Sequence, residues 1–286
     1  MSDKVIFVFD MDGTLTPPAA PMFMGFASFF AKWIEDRDVR IISGSPIEKM
    51  RGQLPKFIME KTIIYPVSGN QTWRKGVCEH LQFGENGVIW PGSLLSALGE
   101  LAGKSTFKYK AGAHIDFRYG MLNFCPPGRG MSHDQRQEYV EYDGIMNERN
   151  HMVDILRRKF GDEYDIAIGG QISIDITPTG ANKAQILDEF PSGAEIIFFG
   201  DKCEPGQNDY PLAEALAKWP WEAKVHKVKN SQNTERILRD DYRDYGRSVR
   251  PSTHGACDIS GKVSKISESL DRVSSNRPVN RASGQE

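Results

Sequence analysis

The chain has 286 residues, of which 39% are hydrophobic and 26% charged, and 36 Lys and Arg stand against 38 Asp and Glu for a formal charge of −2. That length allows a sizeable buried core and two modest domains. So even a balance gives no broad electrostatic attraction to nucleic acid or to an anionic membrane, which leaves small soluble substrates as the expected partners.

The four cysteines, Cys78, Cys125, Cys203 and Cys257, form no C-x-x-C pair. Neither a zinc site nor a disulfide framework is expected, and a reducing, cytoplasmic setting is. Residues 5–9 are an apolar run of strand length that leads straight into Asp10 and Asp12. It is too short for a signal peptide and suits a parallel strand buried on both faces, with ligands gathering at its carboxyl end. With a side-chain period of two, the carboxylates leave on the same side and repel unless a cation or a proton relieves them.

The proline-rich stretch 16–21 connects to a helix over 22–34, whose Lys32 and short span argue against a membrane crossing. A strand over 39–42 ends in Ser43-Gly44-Ser45-Pro46, with a helix following to Leu54. Ser45 suits an N-cap there, and a hydroxyl beside free N–H groups makes a phosphate seat. Residues 63–67 read as a third strand, after which periodicity fades to about Glu85.

Beyond that boundary the pattern becomes α+β, short strands around a pair of helices. Residues 114–118 and 121–124 form a hairpin about Tyr119-Gly120. Ser132 and Gln135 have capping-box spacing for a helix carrying Arg136, and a second helix over 147–160 stops at Gly161. In 166–176 the isoleucines alternate as in one strand, so Gln171, Ser173 and Asp175 share a polar face, ordinarily a solvated one. Pro178-Thr179-Gly180 breaks it, and Ala181-Asn182-Lys183 opens a helix leading to a second buried strand that delivers Asp201. The 202–209 loop is rich in oxygen donors, the kind Mg²⁺ takes. From Tyr245 the chain turns Ser-, Arg- and Gly-rich and reads as a mobile tail, with Val263, Ile266, Leu270 and Val273 spaced for one short amphipathic helix.

Asp10-Met11-Asp12-Gly13-Thr14-Leu15-Thr16 after an apolar strand resembles the first motif of the haloacid dehalogenase superfamily, and Ser45, Lys183 and Asp201 stand where its later motifs do. Within it, residues 118–123, Pro127-Gly128-Arg129, Arg136, residues 169–175 and residues 198–209 resemble the eukaryotic-type phosphomannomutases. The likeness runs from about Val5 to the 230s. It implies an α/β fold: a doubly wound, mostly parallel-sheet, Rossmann-like core over 1–84 and 183–245, an inserted α+β cap over 85–182, and an unmatched tail over 246–286. It implies a homodimer through the cap, and interconversion of mannose 6-phosphate and mannose 1-phosphate on the way to GDP-mannose, with a hexose 1,6-bisphosphate as activator.

By the same resemblance Asp10 takes the phosphoryl group and Asp12 manages the proton. Mg²⁺ is held by Asp10, Asp201 and Asp12 through its main-chain carbonyl, with Asn208 and Asp209 behind. Lys183 and Ser45 contact the transferred phosphate. Arg118, Arg129 and Arg136 grip the second phosphate, and Met121, Asn123, Ser173 and Asp175 line the sugar. The chain departs from the family at Ala19 (Arg in the family), Asn182 (Asp), Ser68-Gly69-Asn70 (Glu-Asn-Gly) and Gln207 (Gly). Two other readings share the scaffold: a Mg²⁺-dependent sugar-phosphate phosphatase, which needs no second phosphate grip, and a non-catalytic sugar-phosphate binder, which needs no nucleophile.

Overall fold

The computed structural model describes residues 4–247, so the expected tail and its helix lie almost wholly outside the described residues. A seven-stranded sheet is built from β1 (Val5–Asp10), β2 (Asp38–Ile42), β3 (Ile63–Tyr65), β4 (Gln71–Arg74), β5 (Val77–Leu81), β10 (Glu195–Gly200) and β11 (Ala223–Lys227), in the order β11-β10-β1-β2-β3-β4-β5. The first five in that order run parallel, and β4 and β5 add an antiparallel edge. Helices α1 (Met24–Trp33), α2 (Ile47–Gln53), α3 (Lys56–Lys61), α7 (Tyr210–Ala217) and α8 (Ser231–Asp240) belong to this part. A second sheet, antiparallel and in the order β6-β7-β9-β8, consists of β6 (Ile115–Arg118), β7 (Met121–Phe124), β8 (Tyr164–Ile168) and β9 (Ile174–Pro178). It goes with α4 (Gly92–Lys104), α5 (His133–Met146) and α6 (Glu148–Phe160).

Strand alternation explains why β1 is central. Phe7 and Phe9 point into one core with Phe26, Phe30 and Trp33 of α1, while Ile6 and Val8 point into another with Leu212 and Leu216 of α7. Each such side chain, fully buried, contributes on the order of 1.5–3 kcal/mol. In the smaller sheet only one face is greasy: Leu122, Phe124, Ile166, Ile174 and Ile176 pack on Leu94 and Leu98 of α4 and Leu156 of α6. The alternate residues, Asn123 and Asp175, therefore face away from the helices, paired across β7 and β9.

Several expectations are revised. The isoleucine run 166–176 is two strands, not one, because the chain reverses over 169–173 and pairs Ile168 with Ile174 and Ile166 with Ile176. Alternation survives a hairpin, so period alone could not reveal the turn. The segment that lost periodicity holds the β4–β5 hairpin, turned by Lys75 and Gly76 in left-handed conformations (φ 49° and 80°). Strand β3 stops at Tyr65, since Pro66 cannot continue the ladder. Helix α4 makes a third helix beside the expected pair, its Leu94-Leu98-Leu101 stripe masked in sequence by three glycines. The capping box at Ser132 is present in both directions.

The two sheets belong to one compact unit and meet at named hydrogen bonds: Arg118 Nη1 to the Gly44 carbonyl (2.6 Å), Asn70 Nδ2 to the Gly120 carbonyl (3.0 Å) and the Ile168 N–H to the Gly206 carbonyl (3.0 Å). Among the described residues no helix is long and apolar enough to cross a membrane.

Candidate active site

Three adjacent strands, β10, β1 and β2, deliver Asp201, Asp10 and the Ser43-Gly44-Ser45 turn to the same carboxyl edge. Gly13, within the first motif, has φ +92°, and a Cβ there would overlap the Asp201 carboxylate, so the turn that carries Asp12 away from the strand closes directly on Asp201.

Asp10 is buried, with Oδ1 2.5 Å from Lys183 Nζ, and the same ammonium lies 2.6 Å from Asp209 Oδ1. Asp209 is fully occupied by the protein, its Oδ2 accepting the Lys202 N–H at 2.9 Å, while Lys202 Nζ donates to Asp201 Oδ2 at 2.6 Å. Burial pushes the Asp10 carboxyl well above the usual carboxylate range; Lys183 opposes this, and Asp209 and Asp201 add to it. Asp201 is raised for the same first reason, against Lys202. Burial works against the Lys183 ammonium, but Asp10 and Asp209 outweigh it and hold its pKa above the ordinary lysine value.

Ligand oxygens of Asp10, Asp201 and Asp209 lie within 4.8 Å of one another. Asp10, buried, and Asp201, half-buried, are both pushed towards protonation, and with Asp209 beside them they fit a hard divalent cation, whose charge would offset the repulsion within the cluster. The Asp12 carboxylate is not in this cluster, which leaves only its main-chain carbonyl for a metal. Its side chain turns aside: Oδ1 accepts from the Ala19 N–H (2.8 Å) and Gln53 Nε2 (2.9 Å), and Oδ2 from Ser45 Oγ (3.1 Å) and Lys49 Nζ (3.0 Å). Burial alone would raise this carboxyl, yet Lys49, the Ala19 N–H and Gln53 together bring it below the usual range. Ser45 is not the N-cap of α2; Pro46 holds that place, and the serine hydroxyl serves Asp12 instead.

A cleft open to solvent joins this edge to the smaller sheet. Asp10, Asp12, Ser45, Asp201 and Asn208 line one side; Arg118, Arg129, Arg136, Asn123, Ser173 and Asp175 line the other. Met121 is wholly buried and does not line the cleft, and Lys183, paired with Asp10, does not line it either. Two of the three guanidiniums share Asp116 as an acidic partner, at 2.9 Å from Arg118 Nε and 3.4 Å from Arg129 Nη2. Arg136 Nη2 instead donates to the Arg129 carbonyl at 3.2 Å. Arg129 Nε is buried with no hydrogen bond among the described residues, and burial followed by the Arg118 charge lowers that guanidinium's pKa. Such an excess of forked donors suits a dianionic oxyanion. Asn123 Nδ2 donates to Ser173 Oγ (3.1 Å) and Asp175 Oδ1 (2.5 Å), fixing the polar floor between the two charged ends. A Cβ at Gly169 would overlap the Asp175 carboxylate, so the Gly169-Gly170 turn clears room for it.

Sequence reasoning missed Lys49, Gln53 and Lys202. The first two follow Ser45 at intervals of four residues, the helical spacing that puts them on one face, and that spacing could have found them.

A profile of the eukaryotic phosphomannomutase family matches residues 26–243. The phosphomannomutase of Drosophila melanogaster is 34% identical, the match covering 83% of this chain and 95% of that protein. That of Spinacia oleracea is 34% identical over 73% of this chain and 86% of its own length. Among solved structures, N-terminally truncated IMP-nucleotidase of Plasmodium falciparum with IMP bound superposes with a TM-score of 0.52 at 15% identity, covering 82% of this chain and 67% of that one. The last likeness speaks to fold alone. Taken with a match over most of the sequence, these findings make the chain a member of the eukaryotic phosphomannomutase family.

Proposed function

We propose that the chain interconverts mannose 6-phosphate and mannose 1-phosphate through an aspartyl-phosphate at Asp10. One observation carries the mutase reading over the phosphatase: a second cationic end, Arg118, Arg129 and Arg136, opens on the same cleft as Asp10. A hydrolase has one phosphate to hold, whereas a mutase must hold the idle phosphate while the other reacts.

The state of Asp12 sets the order of events. Held ionised at rest by Lys49 and its N–H donors, it begins as a base. It takes the proton of the acceptor sugar hydroxyl as that oxygen attacks the phosphoryl on Asp10; the sugar O–P bond forms and the Asp10–P bond breaks. The bisphosphate then reverses in the cleft, exchanging its two ends. Asp10 attacks the other phosphate, the second sugar O–P bond breaks, and the leaving oxygen takes the proton back from Asp12. A cycle that starts with base and acceptor requires Asp10 to be phosphorylated beforehand, which accords with priming by a hexose 1,6-bisphosphate. Mg²⁺, held by Asp10, Asp201 and the Asp12 main-chain carbonyl, with Asn208 and Asp209 behind, would supply charge neutralisation at the transferring phosphate.

The remaining expectations complete the proposal. Segment 85–182 acts as a lid on a core of 1–84 and 183–245. The dimer forms through that lid, for which exposed Ile145 and Met146 at the end of α5 offer apolar surface. Free Cys78, Cys125 and Cys203 accord with a cytoplasmic enzyme feeding GDP-mannose synthesis.

The test is incubation with mannose 1-phosphate, Mg²⁺ and a trace of hexose 1,6-bisphosphate. Mannose 6-phosphate should appear as substrate disappears, without orthophosphate; orthophosphate released in step with substrate loss would overturn the mutase in favour of the phosphatase. Stripping divalent cations with EDTA should abolish turnover and Mg²⁺ should restore it, and turnover persisting in EDTA would remove the metal from the mechanism.

A further inference from the structure

Two cationic side chains line the cleft from the larger sheet's side, Lys49 and Lys202. Lys202 is committed to Asp201 at 2.6 Å, and Lys183 is committed to two carboxylates. At Ala19, also on the wall, the chain offers only a methyl group, its N–H being spent on Asp12. Lys49 is different. Its side chain is 38% exposed, and Nζ lies 3.0 Å from both Ser45 Oγ and Asp12 Oδ2. It therefore lines, with Ser45 and Asp12, the same cleft as Asp10, and has coordination to spare: an ammonium has three donors, and two are used.

We propose that Lys49 binds the phosphoryl group being transferred, forming with Ser45 an anion seat on the cleft wall they share with Asp10. This rests on the Asp10 phosphoryl reading above and adds a residue to it. A phosphoryl on Asp10 presents three oxygens carrying shared charge. Lys183 and Lys202 are each paired with carboxylates of the acidic cluster, whereas Lys49 stands outside that cluster. Lys49 needs only to turn one free N–H. Lys49 lies in the first turn of α2 and Ser45 just before the helix begins, and their 3.0 Å contact positions the ammonium before substrate arrives.

An alternative role is confined to Asp12, with Lys49 holding that carboxylate in place and never meeting phosphate. The experiment must separate the two. Beryllium fluoride with Mg²⁺, a phosphoryl mimic that bonds to an aspartate, is titrated into the full-length wild type, Lys49→Met, Lys49→Arg, Asp12→Asn and the double variant Asp12→Asn/Lys49→Met, each checked by thermal unfolding. A direct contact predicts at least about a ten-fold loss of beryllofluoride affinity in Lys49→Met, recovery of most of it in Lys49→Arg, and the same loss when Lys49→Met is made on Asp12→Asn. Turnover lost with unchanged beryllofluoride affinity, or a loss that vanishes on Asp12→Asn, would overturn the assignment and leave Lys49 a positioning residue. Should wild type itself fail to bind beryllofluoride, the Asp10 reading falls first and this one with it. Lys49→Gln gives the same comparison if the methionine variant does not fold.

Discussion

Asparagine at position 10 will lower mutase turnover by at least about 10⁴-fold, the order found when a nucleophile is removed from a site that keeps its other parts. The amide cannot form the acyl phosphate, and no other carboxylate is placed to substitute: Asp12 is tied by four donors, Asp209 by Lys183 and the Lys202 N–H, and Asp201 by Lys202. Binding should survive, because the arginines, Ser173 and Asp175 that line the cleft are untouched. Stability should change little as well. Asp10 loses an ion pair with Lys183, but it also ceases to be a buried charge repelled by Asp209 and Asp201. Calorimetric titration with mannose 1-phosphate beside the product assay decides the matter: binding retained and turnover gone is the expected pair. An Asp10→Asn protein with turnover within ten-fold of wild type would mean the phosphoryl is carried elsewhere.

The sequence was most legible where one residue's chemistry and the local period said the same thing. An apolar run flowing into Asp10 needed only the two-residue alternation of a strand to be read as β1, and its neighbours Phe7 and Phe9 do divide from Ile6 and Val8 between two cores. The hairpin at Tyr119-Gly120 and the capping box at Ser132 were legible for the same reason, each being a turn or cap stated by its own residues. Failures came where period is ambiguous. In β8 and β9 an alternating isoleucine run looks identical with or without a reversal, and only the Gly169-Gly170 pair, which clears space for Asp175, hinted at the turn.

Partners within the site were less legible than its members. That Asp10 and Lys183 belong together follows from the motif order, but that Lys183 also holds Asp209, 26 residues further on, is a fact of three dimensions. Asp12 shows the cost of reasoning from spacing alone. Two positions from Asp10, it is expected on the same side of a strand, yet β1 ends at Asp10 and the Gly13 turn swings the second carboxylate towards α2. This divergence separates the two acids chemically: one sits in a crowded anionic cluster, the other among donors, and so one suits attack on phosphorus beside a cation while the other moves a proton.

Lys183→Met should be the most destabilising single change at the site. Lys183 is 1% exposed and its ammonium is the shared partner of Asp10 and Asp209, so methionine leaves two buried carboxylates without their common cation. Breaking a buried pair from one side costs about 3–5 kcal/mol, which for a domain of this size is a fall in Tm of roughly 10 °C. The pH dependence identifies the cause. Asp10 is already raised in the folded chain by burial, and loss of Lys183 removes the charge that opposes the rise, so in the variant its folded value climbs further above the unfolded one, about 3.9. A folded state that binds the proton more tightly than the unfolded state loses stability as pH rises through the window between the two values. The deficit of Lys183→Met relative to wild type should therefore be small near pH 4, grow with rising pH, and be fully developed once the pH exceeds the variant's raised folded value. Urea unfolding of both proteins at pH 4.5, 6 and 7.5 measures it. A deficit of the same size at all three would mean that lost packing, and not the uncovering of Asp10 and Asp209, is what the methionine introduces.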